Sequence, residues 1–224
     1  MVYKALKKVS FLKGLVQKDI GQILSIAKHK KFKAGEIIFH KSEIGNHFFI
    51  VKSGKIKIFT FLGPEKKKTF AFLSRGDMFG EMSLLGGKTR SASAQAIENT
   101  ELLVISKKNF RDLIMSNPDF TFKLLNTVVE RLNKANKEIE SMLFHNILGR
   151  LADSIIELSK NNHSTPVCLK IDQNELAECV GTTRVPVCRA INILKRSKTI
   201  EYKRGELKIM DMQRLKSIAG SGNN

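Results

Sequence analysis

Short apolar runs separated by glycines dominate residues 33–108. The runs at 36–39, 47–51 and 55–59 either alternate apolar with polar residues or are apolar throughout. The turn glycines are Gly35, Gly45, Gly54, Gly63, Gly76 and Gly80. Short strands at regular spacing with turn residues between them are typical of a β-sandwich or barrel. Before them, an apolar set at helical spacing predicts a helix over residues 10–30.

A long helix is predicted from Pro118 onward. Its apolar positions follow a 3-4-3-4-3 spacing and are Leu125, Val128, Leu132, Ala135, Ile139 and Met142. Such a narrow seam, flanked by charged residues, favours a two-stranded coiled coil and hence a parallel homodimer. The alternative is an ordinary helix that packs on its own domain.

The pattern changes after residue 145. Asn146 is a good N-cap for a second helix over residues 147–160, which makes the junction at 144–146 a candidate hinge. Residues 167–171 read as a strand. Asp172 and Glu175 have the spacing of a capping box at the start of a short helix.

Residues 173–195 have the spacing of a helix-turn-helix. Ala177 is small where two helices cross, Gly181 suits the tight turn, and Val187 packs the second helix on the first. We expect Thr183 to cap the second helix and Pro186 to be its third residue, where a missing N–H costs little. A hairpin over residues 199–209 predicts a wing.

The exposed start of that second helix has the chemistry of DNA reading. Arginine pairs with guanine in the major groove, valine contacts a thymine methyl, and threonine and lysine suit phosphates. The candidate DNA-binding residues are Thr182, Thr183, Arg184, Val185, Cys188 and Arg189, with Lys203 and Arg204 at the tip of the wing. Either Arg184 or Arg189 could instead be solvated or bound to phosphate.

Composition adds a weaker indication. The net charge is +18, but residues 1–120 hold 22 Lys/Arg against 10 Asp/Glu, so the half predicted to bind DNA is the less basic one. No apolar run suggests a signal peptide or a membrane span, which predicts a cytoplasmic protein. The three cysteines, Cys168, Cys179 and Cys188, lack zinc-type spacing, and no histidine cluster suggests a metalloenzyme. We expect no enzyme, no metal and no tightly bound cofactor.

Residues 79–94 contain a candidate anion site. A helical turn that opens on a glycine presents free N–H groups, Arg90 offers a planar cation for phosphate oxygens, and Glu81 can accept hydrogen bonds from sugar hydroxyls. This set would bind a phosphate together with a ribose. The alternative is a Glu–Arg ion pair within a structural turn.

Phe79-Gly80-Glu81, Leu84 and Arg90-Ser91-Ala92 resemble the phosphate-binding cassette of cyclic-nucleotide-binding domains. With the strands, the long helix and the winged helix, the whole chain resembles the CRP/FNR transcription regulators. The resemblance implies an α+β chain in three parts: a β-roll (double-stranded jelly-roll) sensor over residues 1–117, a dimerisation helix and hinge over 118–145, and a winged helix-turn-helix over 146–224.

The resemblance also implies roles for individual residues. Glu81 would bind the ribose 2′-hydroxyl, Arg90 and Ser91 the cyclic phosphate, and Arg131 would pair with Glu81. The implied ligand-binding residues are Gly80, Glu81, Met82, Arg90, Ser91, Ala92, Arg131, Ala135 and Asn136. The implied effector is a cyclic nucleotide such as cAMP, and the implied partners are a palindromic double-stranded DNA operator, a second copy of the chain and RNA polymerase.

Two departures from the family pattern qualify these expectations. Ala135 and Asn136 replace the Thr-Ser pair that contacts adenine, which leaves the base of the effector open. Val185 replaces a glutamate on the DNA-reading helix, which predicts an altered preference at one base pair. A different effector, or a ligand-independent regulator that keeps the cassette only as a structural turn, is the alternative function.

Overall fold

The computed structural model describes residues 17–61, 63, 66–160 and 166–220. These residues form two compact units. The first contains the described residues up to 60 together with 69–131, and the second contains 61–68 and 132 onward.

Two four-stranded sheets form the β-rich part of the chain. The strands are β1 (Lys28–Phe32), β2 (Ile37–Phe39), β3 (His47–Ser53), β4 (Ile56–Phe61), β5 (Lys67–Leu73), β6 (Met78–Phe79), β7 (Ser93–Ala96) and β8 (Thr100–Ser106). Their orders are β1-β8-β3-β6 and β2-β7-β4-β5. The antiparallel pairing of β3 with β8 and of β4 with β7 confirms the predicted β-domain.

The central strand β3 explains why the run at 47–51 is apolar throughout. Successive side chains of a strand point to opposite faces of the sheet. Phe49 and Val51 join one buried cluster, with residues of both sheets. Phe48 and Ile50 join another, with residues of the flanking helices such as Phe110. Both faces of β3 are therefore buried, which removes the alternation expected of a half-exposed strand.

The helices of this part are α1 (Gln17–Ile26), α2 (Met82–Leu85), α3 (Lys107–Ser116) and α4 (Pro118–Phe144). The prediction of helix over residues 10–30 is wrong at its end. Residues 28–30 belong to β1, because Lys28 to Phe32 pair with Val104 to Thr100 of β8 and Phe32 is buried. Residues 10–16 lie outside the described part.

The long helix α4 starts at the predicted proline and ends at Phe144. Its first turns are anchored in the core, since Phe120 and Leu124 are buried. Beyond them the predicted seam is largely open to solvent in the single chain: Leu132 is 59 % exposed, and Leu125, Ile139 and Met142 are similarly exposed. The packing of one chain therefore leaves this stripe of α4 uncovered.

The second unit is a small helical bundle with a three-stranded sheet. Besides residues 61–68 and the end of α4, it contains α5 (Ile147–Ser159), β9 (Cys168–Lys170), α6 (Gln173–Val180), α7 (Arg184–Arg196), β10 (Ile200–Lys203), β11 (Glu206–Ile209) and α8 (Met212–Gly220). The sheet order is β10-β11-β9. Asn146 caps α5, since its Oδ1 accepts from the backbone N–H groups of Leu148 and Gly149. The predicted hairpin is present, and the predicted strand at 167–171 is shorter by one residue at each end.

Across the residues that the structure describes, we find no helix with the length and apolarity needed to cross a membrane.

Candidate functional site: an anion cassette and a DNA-reading helix

The predicted cassette lies on the turn between β6 and β7. Gly80 follows β6 with a φ of +86°, a left-handed conformation that glycine adopts readily. A Cβ at this position would lie 2.7 Å from Nη1 of Arg90 and 3.0 Å from the carbonyl oxygen of His47. The glycine therefore gives the Arg90 side chain room beneath the turn.

Arg90 is embedded in the protein, with 6 % of its surface exposed. Its Nη1 donates to the carbonyl oxygen of Gly80 (2.9 Å) and to Oγ of Ser83 (2.8 Å), and its Nη2 donates to the carbonyl oxygen of His47 (2.9 Å). The guanidinium carbon also lies 4.2 Å from the centre of the Phe39 ring. These hydrogen bonds and the cation–π contact hold the guanidinium in one position. Sequence reasoning did not identify the part played by Ser83.

Both acidic and basic groups act on this centre. Burial lowers the pKa of the Arg90 guanidinium, and the negative charge of Glu81 opposes that shift. The pKa of His47 is also lowered, first by burial and then by the positive charges of Arg90, Lys30 and Lys28. Arg90, Lys30 and Lys28 are thus the cations near His47 that could attract an anion.

Glu81 lies at the start of α2 and is almost fully buried, with 1 % of its surface exposed. Its Oε1 accepts from Nη1 of Arg131 at 2.6 Å, and Nη2 of Arg131 donates to the carbonyl oxygen of Met78. The Glu81–Arg131 pair that the family resemblance implies is therefore present. It joins the cassette to helix α4.

Two buried polar atoms of the cassette lack a hydrogen-bond partner among the described residues. They are Oε2 of Glu81 and Nε of Arg90. A buried acceptor or donor without a partner is costly, and native proteins rarely keep one without a reason. An acceptor and a donor left open in one turn are the groups that a hydroxyl and an anion could engage.

The remaining predicted ligand-binding residues differ in exposure. Ser91 is exposed, with its hydroxyl 3.4 Å from the sulfur of Met82, which is exposed as well, whereas Ala92 is buried. Ala135 and Asn136 are both exposed, on the part of α4 that belongs to the second unit.

The helix-turn-helix is built as the spacing predicts. Asp172 caps α6 by accepting from the N–H groups of Asn174 (2.7 Å) and Glu175 (2.9 Å), and the Glu175 carboxylate accepts in return from the N–H of Asp172 (2.8 Å). Gly181 ends α6 with a left-handed φ of +76°. Ala177 and Val187 are buried where α6 and α7 meet. The capping box thus sets where α6 begins, and the turn at Gly181 sets where α7 begins.

The first turns of α7 present the predicted reading face. Arg184, Val185 and Arg189 are exposed, and Cys188 is half-buried. Thr183 is the N-cap residue of α7, as expected, although its side chain makes no capping hydrogen bond. Its hydroxyl is therefore not used within this turn.

One residue of this face was missed. Gln173, the first residue of α6, accepts hydrogen bonds from both Arg184 and Cys188. No periodicity reveals such a contact, since it joins residues 11 and 15 positions apart on two helices.

The wing carries the two cations predicted at its tip. Lys203 ends β10, Arg204 lies in the turn with a φ of +51°, and both side chains are exposed. Behind them, the Tyr202 hydroxyl donates to the carbonyl oxygen of Ile171 at 3.2 Å, which ties the hairpin to the segment that precedes α6.

A metal centre has no support in the described ranges, where no group of three or more His, Cys, Asp or Glu side chains is placed to hold an ion.

Comparison with known proteins identifies both parts. Residues 29–117 match the cyclic nucleotide-binding domain family, and residues 149–218 match the Crp-like helix-turn-helix domain. The chain is 31 % identical over 207 residues to the cyclic AMP receptor protein of Thermus thermophilus, covering 92 % of this chain and 94 % of that one. This chain belongs to the CRP/FNR family of transcription regulators.

Solved structures agree with the CRP/FNR assignment. A CRP/FNR-family transcriptional regulator of Thermus thermophilus superposes with a TM-score of 0.75 at 25 % identity, over 88 % of this chain and all of that one. The c-di-GMP responsive regulator CLP of Xanthomonas campestris shares the fold, with a TM-score of 0.78 at 18 % identity over 87 % and 99 % of the two chains. The CRP/FNR relatives are transcription regulators and not enzymes.

Proposed function

We propose that the chain is a homodimeric regulator whose DNA binding is controlled by a cyclic nucleotide, with cAMP as the first candidate. One observation carries the proposal: Oε2 of Glu81 and Nε of Arg90 are buried and without hydrogen-bond partners in the described part of the chain. A ribose hydroxyl would donate to the first atom, and a cyclic phosphate would accept from the second.

The proposal assigns a task to each part. Residues 1–117 sense the effector, 118–145 dimerise and provide the hinge, and 146–224 bind DNA. In the sensor, Ser91 and the backbone of Gly80 and Ala92 assist Arg90 at the phosphate. Met82 borders this site. Asn136, beside Ala135, offers the donor and acceptor of an amide to the edge of a base.

The exposed stripe of α4 supports the dimer. Leu125, Leu132 and Ile139 are each more than half exposed in the single chain, and a second copy would cover them. Val128, Ala135 and Met142 complete the seam. We expect the protein to sediment as a dimer and a Leu132→Glu variant as a monomer, with Met115→Glu, an exposed methionine on α3, as the control that stays dimeric.

DNA reading is proposed for the face of α7. Arg184 and Arg189 would contact guanines, Val185 and Cys188 would lie against the bases between them, and Thr182 and Thr183 would bind phosphates. Lys203 and Arg204 of the wing would contact the flanking backbone. In a dimer, two such faces would meet successive major grooves of a palindromic operator, about 34 Å apart.

Effector binding is proposed to act by population shift. A nucleotide held by Glu81 and Arg90 would favour the dimer conformation in which the two reading helices have the spacing of the operator. RNA polymerase stays a predicted further partner, and the loop at 161–164 that could contact it lies outside the described residues.

Isothermal titration of the full-length protein with cAMP and with cGMP tests the proposal. We expect one site per chain, with affinity reduced about ten- to hundredfold by Ser91→Ala because a hydrogen bond to a charged phosphate is lost. Arg189→Ala, which changes the reading face only, should bind the nucleotide normally. Absence of heat with both nucleotides, together with unchanged DNA binding by Arg90→Lys, would favour a different effector or none.

A further inference from the structure

We propose that Gln173 on the first helix of the helix-turn-helix positions Arg184 for reading one base pair of the operator. Gln173 is thus a specificity-determining residue that acts through another side chain. The inference rests on the proposed DNA-reading role of Arg184.

The contact is specific in its geometry. Oε1 of Gln173 lies 3.0 Å from Nε of Arg184 and 2.9 Å from Sγ of Cys188. Both partners are donors, so the amide oxygen is the atom that faces them. Arg184 and Cys188 are four residues apart on α7 and therefore lie on the same face of that helix.

Gln173 can serve as an anchor because its own backbone is fixed. It is the first residue of α6, directly after the capping residue Asp172, whose carboxylate and backbone N–H take part in a complete capping box. The side chain itself is half-buried. The Gln173 side chain thus connects the capped start of α6 to the guanidinium of Arg184.

The hydrogen bond from Nε of Arg184 to Gln173 determines which edge of the guanidinium faces the DNA. With Nε bound to Gln173, the two terminal nitrogens of Arg184 remain as the free edge, and such a pair matches O6 and N7 of guanine. An arginine without this anchor could swing to a phosphate, where it would contribute affinity but no sequence information.

The same contact gives Cys188 a second role in addition to the predicted one. Its thiol is a weak donor directed at Gln173, and the side chain is only half-exposed. Cys188 therefore helps to hold the amide oxygen in place.

Binding-site selection from a randomised duplex library, with full-length protein and cAMP present, provides the test. Affinities are then measured for the selected site and for its variants at each base pair. The proteins are the wild type, Arg184→Ala, Gln173→Ala, Gln173→Glu and the neighbouring control Asn174→Ala. Thermal unfolding of each variant checks that it is folded.

We expect Arg184→Ala to relax discrimination at one base pair about tenfold to a hundredfold. Gln173→Ala should relax the same base pair about three- to tenfold, while Asn174→Ala changes nothing there. Gln173→Glu keeps the acceptor for Nε, so it should retain discrimination even though its negative charge weakens binding to all sequences equally.

Three results would overturn the inference in distinguishable ways. If Arg184→Ala relaxes no base pair, the reading role of Arg184 itself is wrong. If Arg184→Ala relaxes one base pair but Gln173→Ala does not, Arg184 reads DNA without the anchor. If Gln173→Ala weakens binding to all sequences equally, Gln173 is a phosphate contact only.

Discussion

The two candidate sites of this molecule differ in how they are joined to the core. Arg90 of the cassette is 6 % exposed, makes three hydrogen bonds inside the protein and stacks on Phe39 of the sheet core. On the reading helix, Val185 is 61 % exposed, and Arg184 is held by the side chain of Gln173. Arg90 of the cassette is packed into the folded interior. The core beneath the reading face is formed by other residues of α7 and its neighbours.

In the cassette, residues proposed for function also stabilise the fold, whereas on the reading face of α7 the two roles are separate. A change at Glu81 or Arg90 removes a buried charge or its partner and costs folding free energy. A change on the exposed face of α7 leaves the packing beneath it intact, so DNA specificity can vary without loss of stability.

The largest expected contrast compares two arginines. Arg90→Ala should lower the free energy of unfolding by about 2–4 kcal/mol, because it removes the stacked guanidinium and leaves buried acceptors unpaired. Arg189→Ala, on the exposed face of α7, should change it by no more than about 0.5 kcal/mol. Urea unfolding of both variants measures the difference. Equal losses would contradict the comparison.

A smaller contrast lies within the second unit. Asp172→Ala should cost about 1 kcal/mol, because the capping box of α6 is lost. Thr183→Ala should leave thermal stability almost unchanged, since this side chain makes no capping bond, yet weaken DNA binding through a lost phosphate contact. A drop in stability with Thr183→Ala as large as that with Asp172→Ala would show that the threonine does cap α7.

The smallest effect concerns a partly exposed ion cluster of the first unit. Glu101 accepts from His29 at 2.8 Å and from Lys52 at 2.9 Å, and these hydrogen bonds lower the pKa of its carboxyl. The stabilisation is therefore present above the usual pKa of glutamate and is lost as the pH falls through the lowered value.

Glu101→Gln should remove this part of the pH dependence, at a cost near neutrality of about 0.5 kcal/mol or less. Unfolding measured between neutral and acid pH tests it. If Glu101→Gln lowered the free energy of unfolding as much as Arg90→Ala, the burial of these two charged groups would not explain their contributions to stability.

Local patterns predicted the second unit well. The spacing of Ala177, Gly181 and Val187 located the helix crossing, and Asp172 with Glu175 located the start of α6. These features depend on contacts within one turn or between adjacent helices, which periodicity and capping chemistry record directly. The start of β1 was predicted as helix, because only its pairing with β8, far along the chain, makes it a strand.

The sequence by itself determined most of the elements, the cassette residues Glu81 and Arg90, and the reading helix, because helix periods, turn glycines and caps are local. Only the tertiary structure decided how these side chains are held. The Ser83 contact of Arg90, the half-free carboxylate of Glu81 and the Gln173 anchor of Arg184 depend on atoms brought together from separate elements. Hydrogen bonds are short-ranged and directional. A sequence pattern can therefore predict such residues but cannot show which of their atoms remain available for a ligand.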